Sequence, residues 1–246
     1  MEKYIEYLVS WLQEKVKETK TNGIIVGVSG GIDSAVVAAL IKRAFPNNSM
    51  GLIMPCHSSQ SDVDDALIVV NELNLDYRIV NLDNTFNALI DDEIKSKIEV
   101  SSNFKMAQAN TKARLRMTSL YAIAQNYGYL VSGTDNACEW YTGYFTKYGD
   151  GGADIAPLVH LSKSEVFEMA RLLNVNSSII NKKPSAGLIE DVSDEDEMQV
   201  TYEELESYMR GEKVNQKATN RIEFLHNVSE HKRSIIAMPL KKVSDM

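Results

Sequence analysis

Thiol and imidazole are scarce in this chain: its 246 residues contain two cysteines, Cys56 and Cys138, and four histidines, His57, His160, His226 and His231. The cysteines are far apart and neither has a second cysteine beside it. That excludes a CxxC redox pair and a four-ligand zinc site, and fits two reduced thiols in a cytosolic protein. The histidines are too few and too scattered for a histidine metal cluster. Positive charge is also short, with 26 Lys and Arg against 34 Asp and Glu, a net charge of -8. Lysines cluster only in short runs such as Lys182-Lys183 and Lys241-Lys242. A nucleic-acid partner calls for a basic surface that releases phosphate counterions, so this balance argues against one. Long apolar runs are missing too. The opening MEKYIEYLVS reads as neither a signal peptide nor a membrane anchor, so a cytoplasmic protein with no membrane partner is expected. Without an internal repeat or low-complexity linker, residues 1–246 are expected to form a single unit, one α/β domain of ordinary size.

Against those absences, one stretch stands out: Ile24 to Ser34, IIVGVSGGIDS. Its β-branched residues predict a buried strand, and the apolar run Ala35 to Ile41 predicts a helix directly after it. Gly27, Gly30 and Gly31 let the connecting turn bring successive backbone N–H groups close to an anion, at the positive end of the following helix. The lysine of a P-loop and the spacing of the dinucleotide fingerprint are both absent. Ser29 and Ser34 supply hydroxyls instead, and Asp33 is the one charge. A carboxylate beside a polyphosphate needs a hard cation between them, which points to bound magnesium; an ordinary glycine turn with Asp33 as helix cap is the alternative. SGGIDS resembles the loop of the ATP pyrophosphatases of the adenine-nucleotide α-hydrolase-like superfamily. That resemblance implies cleavage of ATP between its α and β phosphates.

The remaining pattern alternates strand and helix, which predicts an open parallel sheet, Rossmann-type, with helices on both faces and a helical C-terminal region. An opening helix carries Tyr4, Tyr7, Leu8, Trp11, Leu12 and Val16 and ends near Asn22-Gly23. Strands are expected at Gly51–Pro55, Tyr77–Leu82 and Tyr129–Gly133. Helices are expected at Ser61–Asn74, Thr85–Ile98 and Asn110–Tyr127, the last with Asn110, Arg114, Met117 and Tyr121 along one side and Arg116 facing elsewhere. Arg114 is either a solvated charge or an anion clamp. Residues 133–154 are too polar and glycine-rich for a helix and too long for a turn, which marks a functional loop. Among its carboxylates, Asp135, Glu139, Asp150 and Asp154, Glu139 follows a strand end as Asp33 does and is the choice for a second magnesium ligand. Ser162 and Glu165 form a capping box, and Lys163 is an unusual cation in a helix's first turn, one that a bound polyphosphate would favour. Lys182–Leu188 and the acidic run Glu190–Glu197 read as a mobile segment, and Pro184–Glu197 with part of the 133–154 loop is expected to order only when substrates bind.

Taken in order, SGGIDS, NTKARLRM, GTDNACEWYTGYFTKYGDGGADIAPL, LSKSEV, KPSAGL and HKR resemble the ammonia-dependent NAD synthetases along the whole chain. The resemblance implies that ATP adenylates the nicotinate carboxylate of nicotinic acid adenine dinucleotide, pyrophosphate leaves, and ammonia displaces AMP to give NAD. It assigns ATP as co-substrate to Gly27, Val28, Ser29, Gly30, Gly31, Ile32, Asp33 and Ser34, with Thr134, Lys163 and Ser185. Magnesium falls to Asp33 and Glu139, and the dinucleotide acid to Arg114, Lys147, Asp154, His231 and Lys232. Asp150 lies between the substrates and, with Lys163, is a catalytic candidate. A homodimer is implied. The pattern departs at Gly187, where some members have aspartate, and at Gln199, where glycine is common. About twenty residues precede the first strand, too few for a glutaminase domain, so free ammonia is the expected nitrogen source. Another ATP pyrophosphatase and an ATP-binding regulatory module are the alternatives. Thiolating members of the first need catalytic cysteines, and the second leaves Glu139 and Lys163 without a task.

Overall fold

Alternation along one strand sets the layers of the molecule. In β1 (Gly23–Gly27), Ile24 and Val26 join one buried cluster and Ile25 joins another. Neighbouring residues of a strand point to opposite faces, so a strand with no polar side needs cover on both. The computed structural model describes residues 1–183 and 193–239. Before and after β1 come α1 (Glu2–Thr19), α2 (Ile32–Ala44), β2 (Ser49–Ile53), α3 (Gln60–Glu72), β3 (Asp76–Ile79) and α4 (Asp83–Asn87). A π-helical stretch, Ala88–Ile94, separates α4 from α5 (Phe104–Tyr127) and β4 (Tyr129–Ser132). Then follow α6 (Ala137–Thr142), α7 (Lys163–Leu172), α8 (Ser177–Ile180), α9 (Asp194–Met198), α10 (Tyr202–Met209), α11 (Gln216–Val228) and α12 (Glu230–Arg233).

The strands lie in the order β3-β2-β1-β4, all parallel, with Ile25 opposite Met50 on one side and Val131 on the other. One face is filled by Leu8 and Leu12 of α1, Val36 and Leu40 of α2 and Val166 of α7; the other holds Phe86, Ile90 and Ala124 against Met50, Leu52 and Val131. The chain winds from β1 outward to β3 and then returns to β4 on the opposite side of β1. The strand order therefore reverses at the carboxyl end of β1, the place where open sheets of this kind open a crevice for ligands. A third cluster, built on Cys138, Met198, Leu205 and Ile222, joins α6 to the C-terminal helices. Among the described residues no helix is long and apolar enough to cross a membrane.

Several expectations are corrected in detail. In α1, Ile5 is buried while Tyr7 is 55% exposed. The helix ends at Thr19, where Lys20 turns left-handed. β2 begins two residues before Gly51, and β3 is a short, largely exposed edge strand that ends at Ile79. The single helix expected at 85–98 is instead α4 followed by π-helix, and α5 starts at Phe104 rather than at Asn110. Residues 133–154 do contain a helix, α6, whose Asn136 cap bonds the Cys138 and Glu139 N–H groups while Glu139 bonds back to the Asn136 N–H. In the described part of the acidic run, Ser193 caps the short helix α9, with Asp194 buried and Asp196 exposed. The part of that segment at 184–192, Ser185 and Gly187 included, lies outside the described residues.

Candidate active site

At the switch point the chain leaves β1 through Val28, Ser29, Gly30 and Gly31 and enters α2. Serine hydroxyls shape this turn. Ser29 Oγ lies 3.1 Å from Ser34 Oγ and accepts the Gly31 N–H at 3.2 Å, while Ser34 Oγ donates to the Gly31 carbonyl at 2.9 Å. Gly30 has φ +81°, and a Cβ there would stand 2.7 Å from Asp65 Cβ, so the turn is pressed against α3. Gly31 caps α2 with no side-chain bond, which leaves the helix's first turn without the usual competitor for an anion.

This turn forms one wall of a cavity of about 290 Å³ that Thr134, Asp150, Lys163 and Lys182 also line. Asp33 is not a helix cap. Its Oδ1 accepts from Asn136 Nδ2 at 2.9 Å and its Oδ2 meets the Lys163 ammonium at 2.6 Å, which stands 3.3 Å from Glu139 Oε1. Two capping boxes bring this about. The α6 box fixes Glu139, the α7 box on Ser162 and Glu165 begins the helix at Lys163, and both helices point their first turns at Asp33. Burial pushes the Glu139 carboxyl up to about 7. Although burial opposes its charge, the Asp33 and Glu139 carboxylates beside Lys163 hold it firmly protonated.

The expected dinucleotide-acid residues fall into a second group, around the turn at 143–150. Arg114 donates to the Lys147 carbonyl at 3.2 Å, Lys147 donates to the His231 carbonyl, and Lys232 donates to the Gly143 and Phe145 carbonyls at 2.7 and 2.6 Å. Asp150 stands between the groups: it lines the cavity, accepts the Thr146 N–H at 3.0 Å and is titrated upward by burial. Asp135, also buried and on the cavity wall, is raised well above the usual carboxylate range, first by burial and then by the charge of Asp150. Asp154 lies apart. Its carboxylate accepts from the Val131 N–H at 2.8 Å and the Tyr121 hydroxyl at 3.0 Å, ties internal to the fold.

Three side chains escaped the sequence reading. Arg116, expected to face elsewhere, lines the cavity and donates to the Met54 carbonyl at 3.0 Å and to Ser58 Oγ at 3.1 Å. Asn136 is fully buried under Asp33, and its Asn-x-x-Glu spacing to Glu139 is the capping-box signal that could have found it. Asp194 lines the cavity from α9 and is held by the Tyr202 hydroxyl at 2.9 Å. Both cysteines are buried thiols, and burial pushes Cys138 up to about 12, so neither is an activated nucleophile.

A glycine-serine anion cradle at the switch point of a parallel sheet, with a carboxylate in the cradle itself, defines an ATP-using enzyme of the adenine-nucleotide α-hydrolase-like fold. Comparison with known proteins narrows the class. The family model described as NAD synthase matches residues 4–236, and the chain belongs to that family of ligases. It is 48% identical over 239 residues to the NH(3)-dependent NAD(+) synthetase of Alkaliphilus metalliredigens, covering 96% of this chain and 97% of that one. Among solved structures, an NMN synthetase from Francisella tularensis superposes with TM-score 0.92 at 42% identity, covering 98% of each chain. An NH3-dependent NAD synthetase from Campylobacter jejuni superposes with TM-score 0.79 at 30% identity, covering 97% of this chain and 98% of that one.

Proposed function

We propose that the chain is an ammonia-dependent NAD synthetase, in which ATP adenylates the nicotinate carboxylate of nicotinic acid adenine dinucleotide and ammonia then displaces AMP. The observation that carries this reading is the Asp33–Lys163–Glu139 constellation at the mouth of the cradle. A carboxylate oxygen is a poor leaving group; once it has attacked the α phosphorus and displaced pyrophosphate it belongs to a mixed acyl-phosphate anhydride, from which an amine expels AMP. The cradle from Gly27 to Ser34, with Thr134 and Lys163, holds the phosphates. Arg114, Lys147 and Lys232 offer the dinucleotide acid positive charge across the 143–150 turn, and His231 and Asp154 stay among its contacts as the resemblance assigned them. Asp150, between the two, accepts the proton released as the amine attacks.

Magnesium fits the donors present. Asp33 and Glu139 are hard oxygen ligands on the cavity wall, and among the described residues no cluster of three or more His, Cys, Asp or Glu holds a metal by itself. Magnesium sites of this kind use one or two carboxylates plus substrate phosphates. When bound there, the ion offsets the charge of the β and γ phosphates as pyrophosphate leaves. We place the protein in the cytoplasm as a homodimer; exposed Met106 and Tyr127 on α5 are suited to a subunit contact.

The test supplies purified protein with ATP, magnesium and the dinucleotide acid, and compares ammonium with glutamine as nitrogen source. Pyrophosphate release that depends on the dinucleotide acid, with amidation by ammonium alone, is expected. Efficient turnover on glutamine free of ammonia overturns the reading. The superposition on an NMN synthetase favours one second reading, amidation of nicotinic acid mononucleotide. The same assay run with the mononucleotide acid separates the two by their kcat/KM values.

A further inference from the structure

The two carboxylates assigned above to magnesium already share a cation. The Lys163 ammonium touches Asp33 Oδ2 and Glu139 Oε1, lies 4.9 Å over the Tyr202 ring, and belongs to a side chain only 3% exposed. The other oxygen of each carboxylate is committed elsewhere, Asp33 Oδ1 to the Asn136 amide and Glu139 Oε2 to the Asn136 backbone N–H. The oxygens that an incoming ion needs are therefore those the ammonium occupies. Magnesium bonds oxygen at about 2.0–2.1 Å, inside the reach of a hydrogen-bonded ammonium, and two cations so close in a buried site repel strongly. A second observation supplies another acceptor for the ammonium. Asp194 Oδ1 is, among the described residues, a buried side-chain oxygen with no partner. Asp194 is 4% exposed and lines the same cavity, and Lys163 is the charge that most favours its ionised form.

We propose that Lys163 is an exchangeable counterion: it offsets the charge of Asp33 and Glu139 before nucleotide arrives, yields those oxygens to the entering metal, and turns its ammonium to the open oxygen of Asp194, on the wall of the same cavity, where it still faces the phosphates. The inference rests on the assignment of the metal to Asp33 and Glu139. It accounts for how the free fold tolerates two neighbouring buried carboxylates, since an uncompensated charge there is strongly destabilising. It also makes metal alone a weak ligand, so that metal and nucleotide load together.

Titration of the full chain with Mn2+ in the absence of nucleotide, with free ion counted by electron paramagnetic resonance, tests the exchange. Lys163→Met keeps the length and removes the competitor, and is expected to bind Mn2+ at least about tenfold more tightly than the wild type. Asp194→Asn removes the negative charge that receives the ammonium and is expected to bind about threefold more weakly. Binding by Lys163→Met no tighter than the wild type overturns the proposal. Adding Asp33→Asn to Lys163→Met should abolish the gain; a gain that survives places the metal elsewhere and overturns the assignment beneath. Should Lys163→Met fail to fold, the side-chain nitrogen resonance of Lys163 in the wild type decides. It must shift when magnesium and a non-hydrolysable ATP analogue are added, and an unmoved resonance overturns the exchange.

Discussion

Asp33, Arg116 and Asp135 each carry a single-residue prediction, because each does something its neighbours cannot. Asp33→Asn is nearly isosteric and keeps an acceptor for the Asn136 amide, so the fold should survive while pyrophosphate release falls by about two orders of magnitude. Near-normal release by that variant would remove Asp33 from the chemistry. Arg116 forks between the Met54 carbonyl and Ser58, and so fixes the β2–α3 connection that walls the cavity. A lysine cannot span both acceptors. Arg116→Lys is expected to raise KM for ATP about tenfold with kcat little changed, the scale of one lost charge-assisted hydrogen bond. Asp135 is a matter of linkage. Burial and Asp150 raise its titration above the unfolded value of 3.8. The folded chain therefore holds the proton more tightly, and stability falls as pH climbs from the ordinary carboxylate range through the raised value. Asp135→Asn should remove that loss, worth about 1.4 kcal/mol for each pH unit separating the two titrations. Urea unfolding at pH 4 and pH 8 checks the sign: the variant should gain at pH 8 and be near neutral at pH 4.

Helices and turns differ in how openly the chain announces them. β1, the cradle and α2 were legible because apolar runs and glycines coincide with strand, turn and helix, and the α7 cap was legible because Ser162 and Glu165 stand three apart. α5 hid its register. Over 24 residues it buries only Ala109, Ala113 and Ala124, so no apolar stripe told which side Arg116 would take. α6 hid in a polar loop because its stability comes from a cap and from burial of Cys138 and Thr142. A π-turn at 88–94 differs from an α-turn by one extra residue and leaves no compositional mark. Where the family pattern favours glycine, Gln199 ends α9 with φ 58°. Gln199→Gly should relieve about 1 kcal/mol of left-handed strain and raise the melting temperature by about 2 °C. Gly30 is the opposite case. An added methyl group would meet Asp65 Cβ at 2.7 Å and the Asp62 carbonyl at 2.9 Å. Gly30→Ala should therefore lower ATP affinity measured by calorimetry by at least about tenfold, the value of ~1.4 kcal/mol.

For the molecule as a whole, the reversal of strand order at β1 gathers the chemistry at one end of the sheet and leaves the opposite edge free of it. That edge is β3, whose outer side has no neighbouring strand among the described residues. Four residues long, it keeps Asp76, Arg78 and Ile79 exposed, with Arg78 bonded to Asp76 at 2.6 Å and to the Tyr77 carbonyl at 2.7 Å. Unpaired strand edges invite other chains to add on, and short length with charged side chains discourages it. Solubility at high concentration therefore depends on this short charged strip, none of whose residues lines the cavity. Replacing Asp76 and Arg78 together by valine should leave amidation intact and produce growing light scattering as the protein is concentrated, while the parent chain stays clear.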